Sequence, residues 1–356
     1  MALEPIETRY TAEWYTFLPK LLRSRQYKQL GIDSGFNIFN VSGDVVSTNT
    51  STGAFLNFAD TNIWKNTQIN TVVKLFSNGT IKPGDKFVFT DAWHPGIIQI
   101  RYMSDLLDIP VEIHSIWHAG SYDSNDFLGR KVKNKLWSYN FERAVFHASD
   151  MNYFATKYHV GLFFHQLDLN DVWGQPRFFD KAVVTGFPFN YLEDLITPGN
   201  IKKENIILFP HRIAPEKQHD IFLDLAKEMP EFEFITCQDK TLTKAEYHNL
   251  LQRSKIVFSA NLQETLGIGC WEGMLAGALP LVPDRLSYSE MYSDPFKYPS
   301  KWTESWDEYL VNKHKLVILI KQMMKMYIVY EMDLPGCINK VSPFFNGDKL
   351  IDTIIL

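Results

Sequence analysis

The feature that most constrains this chain is an alternation that runs through it twice. Short runs rich in β-branched and aromatic residues, at 37–41, 87–90, 111–117 and 182–185, are separated by stretches with helical periodicity at 11–23, 62–76, 97–107 and 132–139. Strand–helix–strand order with connections this long predicts a mainly parallel sheet, because parallel neighbours must be joined by a crossover. The pattern then restarts, with strands expected at 206–209, 233–236, 256–259 and 278–282 and helices at 217–228, 244–252 and 269–276. A chain of 356 residues at about 150 residues per domain also suggests two domains. The expected division is a first Rossmann-like domain at 1–189, a polar linker at 190–204, a second such domain at 205–335 and a tail at 336–356. The end of that tail, 348–356, reads as a short amphipathic helix returning to the first domain. In such sheets ligands sit beyond the carboxyl ends of the strands, which makes the cleft between two facing domains the expected site.

Composition narrows the classes. A 45% hydrophobic content excludes disorder and collagen-like repeats. The balance of 36 basic and 41 acidic residues, net −5, excludes a uniformly basic nucleic-acid binder and leaves only a local basic groove. Three cysteines (Cys237, Cys270, Cys337) are too few and scattered for a disulfide framework or a zinc site, and suit a reducing compartment. The apolar stretch 316–330 is interrupted by Lys321 and Lys325 at helical spacing, so it is expected to be a packed helix. The N-terminal residues lack the basic region and apolar core of a secretory signal. The expectation is a soluble, cytoplasmic protein with no membrane partner, whose sequons at Asn40, Asn49 and Asn78 are chance matches. No His-Glu-x-x-His, Gly-x-Ser-x-Gly or first-strand Gly-x-Gly-x-x-Gly occurs, and no metal is expected.

The most informative segment runs from Glu264 to Gly277, ETLGIGCWEGMLAG, between a strand and the helix it opens. Gly267 and Gly269 remove side chains where backbone N–H groups emerge above the helix start. Such an end favours an anion by about 0.3–1 kcal/mol or more when partly buried. Glu264 before the helix and Glu272 inside it cannot bind phosphate, but suit hydrogen bonds from sugar hydroxyls. A second element, PHRIAPEK from Pro210 to Lys217, follows a strand. Its Arg212 supplies a forked guanidinium and Lys217 a point charge at a helix start, a suitable pair for a diphosphate.

Together these elements resemble the retaining, family 4-type glycosyltransferases of the GT-B fold, two Rossmann-like α/β domains facing each other across a cleft. Arg212 and Lys217 match that family's Arg-x4-Lys element, and Glu264, Leu266, Gly267, Glu272, Met274 and Gly277 match its later acid-to-glycine run. Asp284–Glu290 resembles the segment after the next strand. The resemblance implies that Arg212 and Lys217 hold the diphosphate of a nucleotide-diphosphate sugar, UDP-sugar favoured. It also implies that Glu264 binds sugar hydroxyls and Glu272 the ribose, and that backbone amides of Leu266, Gly267 and Ile268 touch the leaving group. No metal or other cofactor is required, and Arg212→Ala and Glu264→Ala are expected to abolish transfer with little loss of stability. The family places a histidine after a strand of the first domain, and His118 is the candidate; His114 on the same run is expected to be structural. The family's Gly-rich loop after the first strand is missing, with residues 2–6 at best a strand.

Further candidates for the acceptor side or the cleft are Arg9, Tyr10, Trp93, His94, Asp123, Arg130 and Lys131. The basic run at 129–135, interleaved with Phe127, Trp137 and Tyr139, could attract a phosphate backbone and stack bases, although a solvated helix face is the simpler account of it. The chain also resembles small bacteriophage glycosyltransferases, some of which glycosylate hydroxymethylated cytosine in DNA. The preferred acceptor is therefore hydroxymethylcytosine in double-stranded phage DNA. The alternatives are a saccharide, lipid or tRNA acceptor, a phosphorylase or epimerase of the same fold, or a non-catalytic nucleotide-sugar-binding module.

Overall fold

The computed structural model describes residues 1–6, 9–30, 37–44, 56–170, 179–199, 201–239 and 242–356. The sequon at Asn49, and Glu7 and Thr8 after the expected first strand, lie outside them. The chain forms two compact units, Met1–Pro188 with Gly347–Leu356, and Phe189–Asn346.

The first unit holds a parallel sheet of four strands in sequential order: β1 (Lys86–Phe89), β2 (Glu112–Trp117), β3 (Met151–Phe154) and β4 (Ala182–Val184). Helices supply the crossovers, among them Phe58–Ser77, Gly96–Leu106, Lys135–Ala148 and Lys157–Gln166. Its core includes Phe89, Ile113, Trp117, Phe146, Phe154 and Phe163, all fully buried. Trp117 lies parallel to Phe154 across the β2–β3 register. β3 escapes the sequence pattern because Asn152 stands in its middle. That amide is nonetheless satisfied, accepting from Trp117 Nε1 at 2.8 Å and donating to the Phe146 carbonyl at 3.1 Å.

Three expected elements of this unit differ. Residues 37–41 form no strand: the Val41 carbonyl accepts from Gln68 Nε2 at 2.6 Å and the Asn40 side chain donates to the Tyr15 carbonyl at 2.6 Å, so the run is tied to helices rather than to a neighbouring strand. The expected helix at 132–139 starts later, at Lys135, where Asn134 caps it by accepting from the Leu136 N–H at 3.1 Å. Residues 2–6 are not a strand. Met1 makes two ladder-like bonds with Val88 and Thr90, but the Leu3 N–H turns to the Thr90 hydroxyl and the Ile6 N–H back to Glu4.

The second unit holds five parallel strands, β5 (Glu204–Phe209), β6 (Glu233–Thr236), β7 (Ser254–Phe258), β8 (Leu279–Asp284) and β9 (Lys297–Pro299), in the order β6-β5-β7-β8-β9. The chain leaves β5 towards one edge and β7 towards the other. Their adjacent carboxyl ends are therefore a topological switch point, the place where an open parallel sheet leaves a crevice.

The boundaries differ from the sequence division. Residues 189–204 belong to the second unit, because Phe189, Leu192 and Ile196 recur at helical spacing and are buried, with a short helix at Tyr191–Leu195. The tail divides. Helix Leu334–Phe345 stays with the second unit, Phe345 stacking on Trp271 at 4.9 Å between ring centres. Helix Asp348–Ile355 belongs to the first unit, burying Leu350, Ile351 and Ile354 and pairing Asp352 with Arg25 at 2.7 Å. No described helix is long and apolar enough to cross a membrane.

Candidate functional site

The loops after β5 and β7 bring the second unit's charged residues together. After β5, Pro210-His-Arg212 leads into a 3-10 turn at Pro215–Lys217. Gln218 then takes a left-handed conformation (φ 50°), so the following helix, His219–Glu228, begins after Lys217 rather than at it as expected. After β7 the chain runs through Asn261 and Glu264 to Gly267, whose φ of 83° starts helix Ile268–Leu275. A Cβ on Gly267 would stand 2.8 Å from Tyr288 Cε1, and one on Gly269 would stand 2.9 Å from the Pro210 ring. Both glycines are therefore required, the first by its backbone and the second by close approach of the helix start to the loop after β5.

Between those loops Lys217 donates to the Gln263 carbonyl at 2.6 Å and to Glu264 Oε2 at 3.2 Å. The pair is largely buried, with side-chain exposures of 8% and 17%. Burial alone would raise the Glu264 pKa; the ammonium of Lys217 and donors including the Leu266 N–H outweigh it and hold the carboxyl below its usual range. Glu264 Oε1 faces the Thr265 and Leu266 N–H groups, and Oε2 also accepts from Asn261 Nδ2 at 3.1 Å. Arg212 is oriented by the buried Glu216 at 2.5 Å and keeps 23% of its side chain exposed. His211, between the loops, is pushed down to about 3 by burial and by Lys217, so it is neutral at physiological pH. Glu272 accepts from Tyr247 OH at 2.8 Å, and burial raises its pKa to about 7.

The Lys217–Glu264 pair corrects one expectation. Glu264→Ala would leave a buried ammonium without its carboxylate, which costs about 3–5 kcal/mol in comparable pairs. The isosteric Glu264→Gln is the cleaner variant. Asn261, His211 and Tyr247 were not singled out by sequence reasoning, since none stands in a recognisable spacing. His211 had only its place after a strand and Asn261 its nearness to Glu264, while Tyr247, inside helix Lys244–Arg253 and 25 residues from Glu272, gave no signal.

In the first unit, His118 follows β2. Its Nε2 lies 2.7 Å from the Thr90 carbonyl and so carries the proton, while Nδ1 accepts from Tyr10 OH at 3.2 Å. Trp14 and Phe187 enclose the ring, and burial lowers its pKa despite nearby Asp91. His114 is buried against Tyr153 OH at 2.7 Å. His94 faces the core, accepting from the Gly96 N–H at 3.0 Å and donating to Gln68 Oε1 at 3.1 Å, which removes it from any ligand-facing role. Trp93 donates to Glu142 at 2.9 Å, and the same carboxylate takes the Ser121 N–H at 2.6 Å, fixing the loop after His118. Asp123 is buried and accepts from the Asn125 N–H at 2.9 Å. Arg9 lies over the Tyr10 ring and Lys131 over Phe127, each at 5.7 Å. Arg130, Lys131 and Lys133 are exposed, whereas Lys135 donates to the Ser121 carbonyl at 3.0 Å and leaves the basic run. Among the described residues no group of three His, Cys, Asp or Glu side chains is placed to hold a metal ion.

No known family's sequence profile matches the chain, and neither does any curated protein sequence. Solved structures do. The pneumococcal O-GlcNAc transferase GtfA, solved with UDP and GlcNAc, matches with a TM-score of 0.51 and 14% identity over 82% of this chain and 60% of its own. Sucrose-phosphate synthase from Thermosynechococcus elongatus matches with a TM-score of 0.54 and 11% identity over 81% of this chain and 76% of its own. A UDP-forming α,α-trehalose-phosphate synthase from Burkholderia vietnamiensis gives 0.54 and 10%, over 82% and 76%. The chain spans about three fifths of GtfA, 60% of its length. At these identities the likeness establishes the fold, GT-B with two Rossmann-like α/β units.

Proposed function

We propose that the chain is a glycosyltransferase that takes a nucleotide-diphosphate sugar, UDP-sugar favoured, at the β5–β7 switch point of its second unit. The observation that carries this reading is the Lys217–Glu264 pair set beside Arg212 and the start of helix Ile268–Leu275. That combination offers cations and backbone amides to a diphosphate and a fixed carboxylate to hydroxyl groups. The neighbours GtfA, solved with UDP, and the UDP-forming synthase support the choice of nucleotide.

In the reaction proposed, the bond between the anomeric carbon and a diphosphate oxygen breaks and its electron pair goes to the diphosphate. Arg212, Lys217 and the amides of Leu266, Gly267 and Ile268 meet that growing charge. A comparable donor is worth about 2.7–4 kcal/mol. Glu264 accepts from hydroxyls of the sugar and Glu272 from the ribose. The acceptor hydroxyl attacks the face the diphosphate leaves and gives its proton to the departing phosphate, so configuration is retained. No nucleophile is assigned to the chain. His118 contributes as a fixed neutral ring after β2, its tautomer set by Thr90.

The acceptor we propose is hydroxymethylcytosine in double-stranded phage DNA, in the host cytoplasm. Exposed Arg130, Lys131 and Lys133, with half-exposed Trp137, support a phosphate-backbone contact. The test is transfer from radiolabelled UDP-sugars to hydroxymethylated and unmodified duplexes. Label in the first alone, weakening with salt, is expected. Absence of duplex binding at low salt removes this acceptor, and UDP binding without sugar release or transfer reduces the chain to a binding module.

A further inference from the structure

The turn between β7 and Glu264 is held by more contacts than a connecting loop needs. Arg285 spends its guanidinium on backbone carbonyls, donating to Asn261 and Ala260 at 2.7 Å each and to Ser300 at 2.9 Å. Gln218 adds a second clamp, donating to the Ala260 carbonyl at 2.5 Å. Fixed in this way, Asn261 is fully buried and directs its Nδ2 hydrogens to Glu264 Oε2 at 3.1 Å and Tyr288 OH at 3.2 Å, with His211 Nδ1 farther off at 3.5 Å. Its Oδ1 is left buried with no hydrogen-bond partner among the described residues.

That orientation has a cost, because an acceptor taken from water goes unsatisfied. The flipped amide would set Oδ1 against the Glu264 carboxylate, acceptor against acceptor. The unsatisfied atom is therefore the consequence of keeping an N–H on Glu264. Natural sequences break local rules of this kind where function requires it. We infer that Asn261, on the backbone pinned by Arg285, is a positioning residue that fixes the Glu264 carboxylate to receive the transferred sugar while leaving the nucleotide's own contacts untouched. This rests on the reading of the second unit as a nucleotide-sugar site and deepens it.

The test compares UDP with UDP-glucose and UDP-N-acetylglucosamine by calorimetric titration on the full chain, using wild type, Asn261→Asp and Asn261→Ala. In both variants the UDP dissociation constant is expected to stay within about twofold of wild type, while the UDP-sugar that wild type binds best weakens at least tenfold. Asn261→Asp has a second signature. Ionised, it repels Glu264; protonated, it can donate to Oε2, so its UDP-sugar affinity should recover as pH falls, which Asn261→Ala cannot do. Should Asn261→Asp fail to fold, the alanine variant still separates UDP from UDP-sugar. Equal loss for both ligands, or no loss, overturns the inference and leaves the site reading intact. If wild type binds neither UDP nor either UDP-sugar, the site reading falls and this inference with it.

Discussion

His118 and Glu264 both follow the carboxyl end of a parallel strand, yet their surroundings are built on opposite lines. In the first unit hydrogen bonding closes on itself: His118 spends one ring nitrogen on Thr90 and the other on Tyr10, His94 does the same with Gln68 and Gly96, and Glu142 is consumed by Trp93 and Ser121. The first unit keeps a buried charge pair, Lys65 on Asp91 at 3.3 Å, whereas the second sets two, Lys217 on Glu264 and Arg212 on Glu216, beside a helix start, with an unsatisfied amide oxygen at Asn261 among them. Closed networks fix a shape. Charges gathered at a switch point beside a helix start, at the expense of local satisfaction, suit the reception of a charged ligand.

The largest effect that tests this contrast is on turnover. Glu264→Gln keeps the volume and a carbonyl for Lys217 but loses the charge, and Arg212→Ala removes the forked donor. Each is expected to lower transfer by about 10²–10³-fold, the range seen when one transition-state donor is removed. Circular-dichroism melting should show a loss in both, since Arg212→Ala leaves the buried Glu216 carboxylate without its cation. Glu264→Gln should lose stability mainly above the ordinary carboxylate pKa. The Glu264 pKa is depressed in the fold, so its ion pair contributes fully above the unfolded value and is lost as pH falls through the folded one. Wild-type turnover in either variant would erase the distinction between the units.

A smaller effect concerns Glu272. With its pKa raised to about 7 by burial, the carboxyl is half neutral near pH 7. Ribose hydroxyls donating to it would favour the ionised form and expel a proton. Affinity for UDP is therefore expected to rise between pH 6 and 7.5, by at most about tenfold per pH unit, and calorimetry in buffers of different ionisation enthalpy should register proton release. For folding the sign is reversed: a raised carboxyl favours the folded state at low pH, and that contribution is lost as pH rises towards 7. Glu272→Gln should flatten the binding profile. An unchanged slope would detach Glu272 from the nucleotide.

The same contrast explains what was legible beforehand. Strands β5, β6 and β8 and the helix from Ile268 follow from apolar runs and glycine spacing, because consecutive side chains of β5 and β8 are buried. β3 was hidden by Asn152, a polar residue whose burial is satisfied by the Phe146 carbonyl and by Trp117, the latter distant in sequence. The run at 37–41 misled in the opposite direction, since the Val41 carbonyl is taken by the Gln68 side chain and the Asn40 side chain reaches the Tyr15 carbonyl, both partners lying on helices rather than on a strand. In the site, Arg212, Lys217 and Glu264 could be read from spacing. The Lys217–Glu264 contact, the Gly269–Pro210 approach and the role of Asn261 could not, because each depends on β5 and β7 being neighbours across the order β6-β5-β7.

The smallest effect, and the one that would most directly break the comparison, is at His118. Its Nε2–H is committed to the Thr90 carbonyl and Nδ1 to Tyr10, and burial keeps the ring neutral, so neither nitrogen is available to carry a proton through the reaction. Glutamine at this position can still donate to Thr90 but cannot fill the space between Trp14 and Phe187. His118→Gln is therefore expected to cost about 1 kcal/mol of unfolding free energy, near the worth of one hydrogen bond, and to lower transfer by less than about tenfold, or 1.4 kcal/mol, with the pH profile unmoved. Denaturant titration and a pH–rate series measure the two separately. A loss as deep as that of Glu264→Gln, or a missing limb in the pH profile with stability intact, would mean that the first unit's closed network opens during the reaction and that His118 acts on the substrate directly.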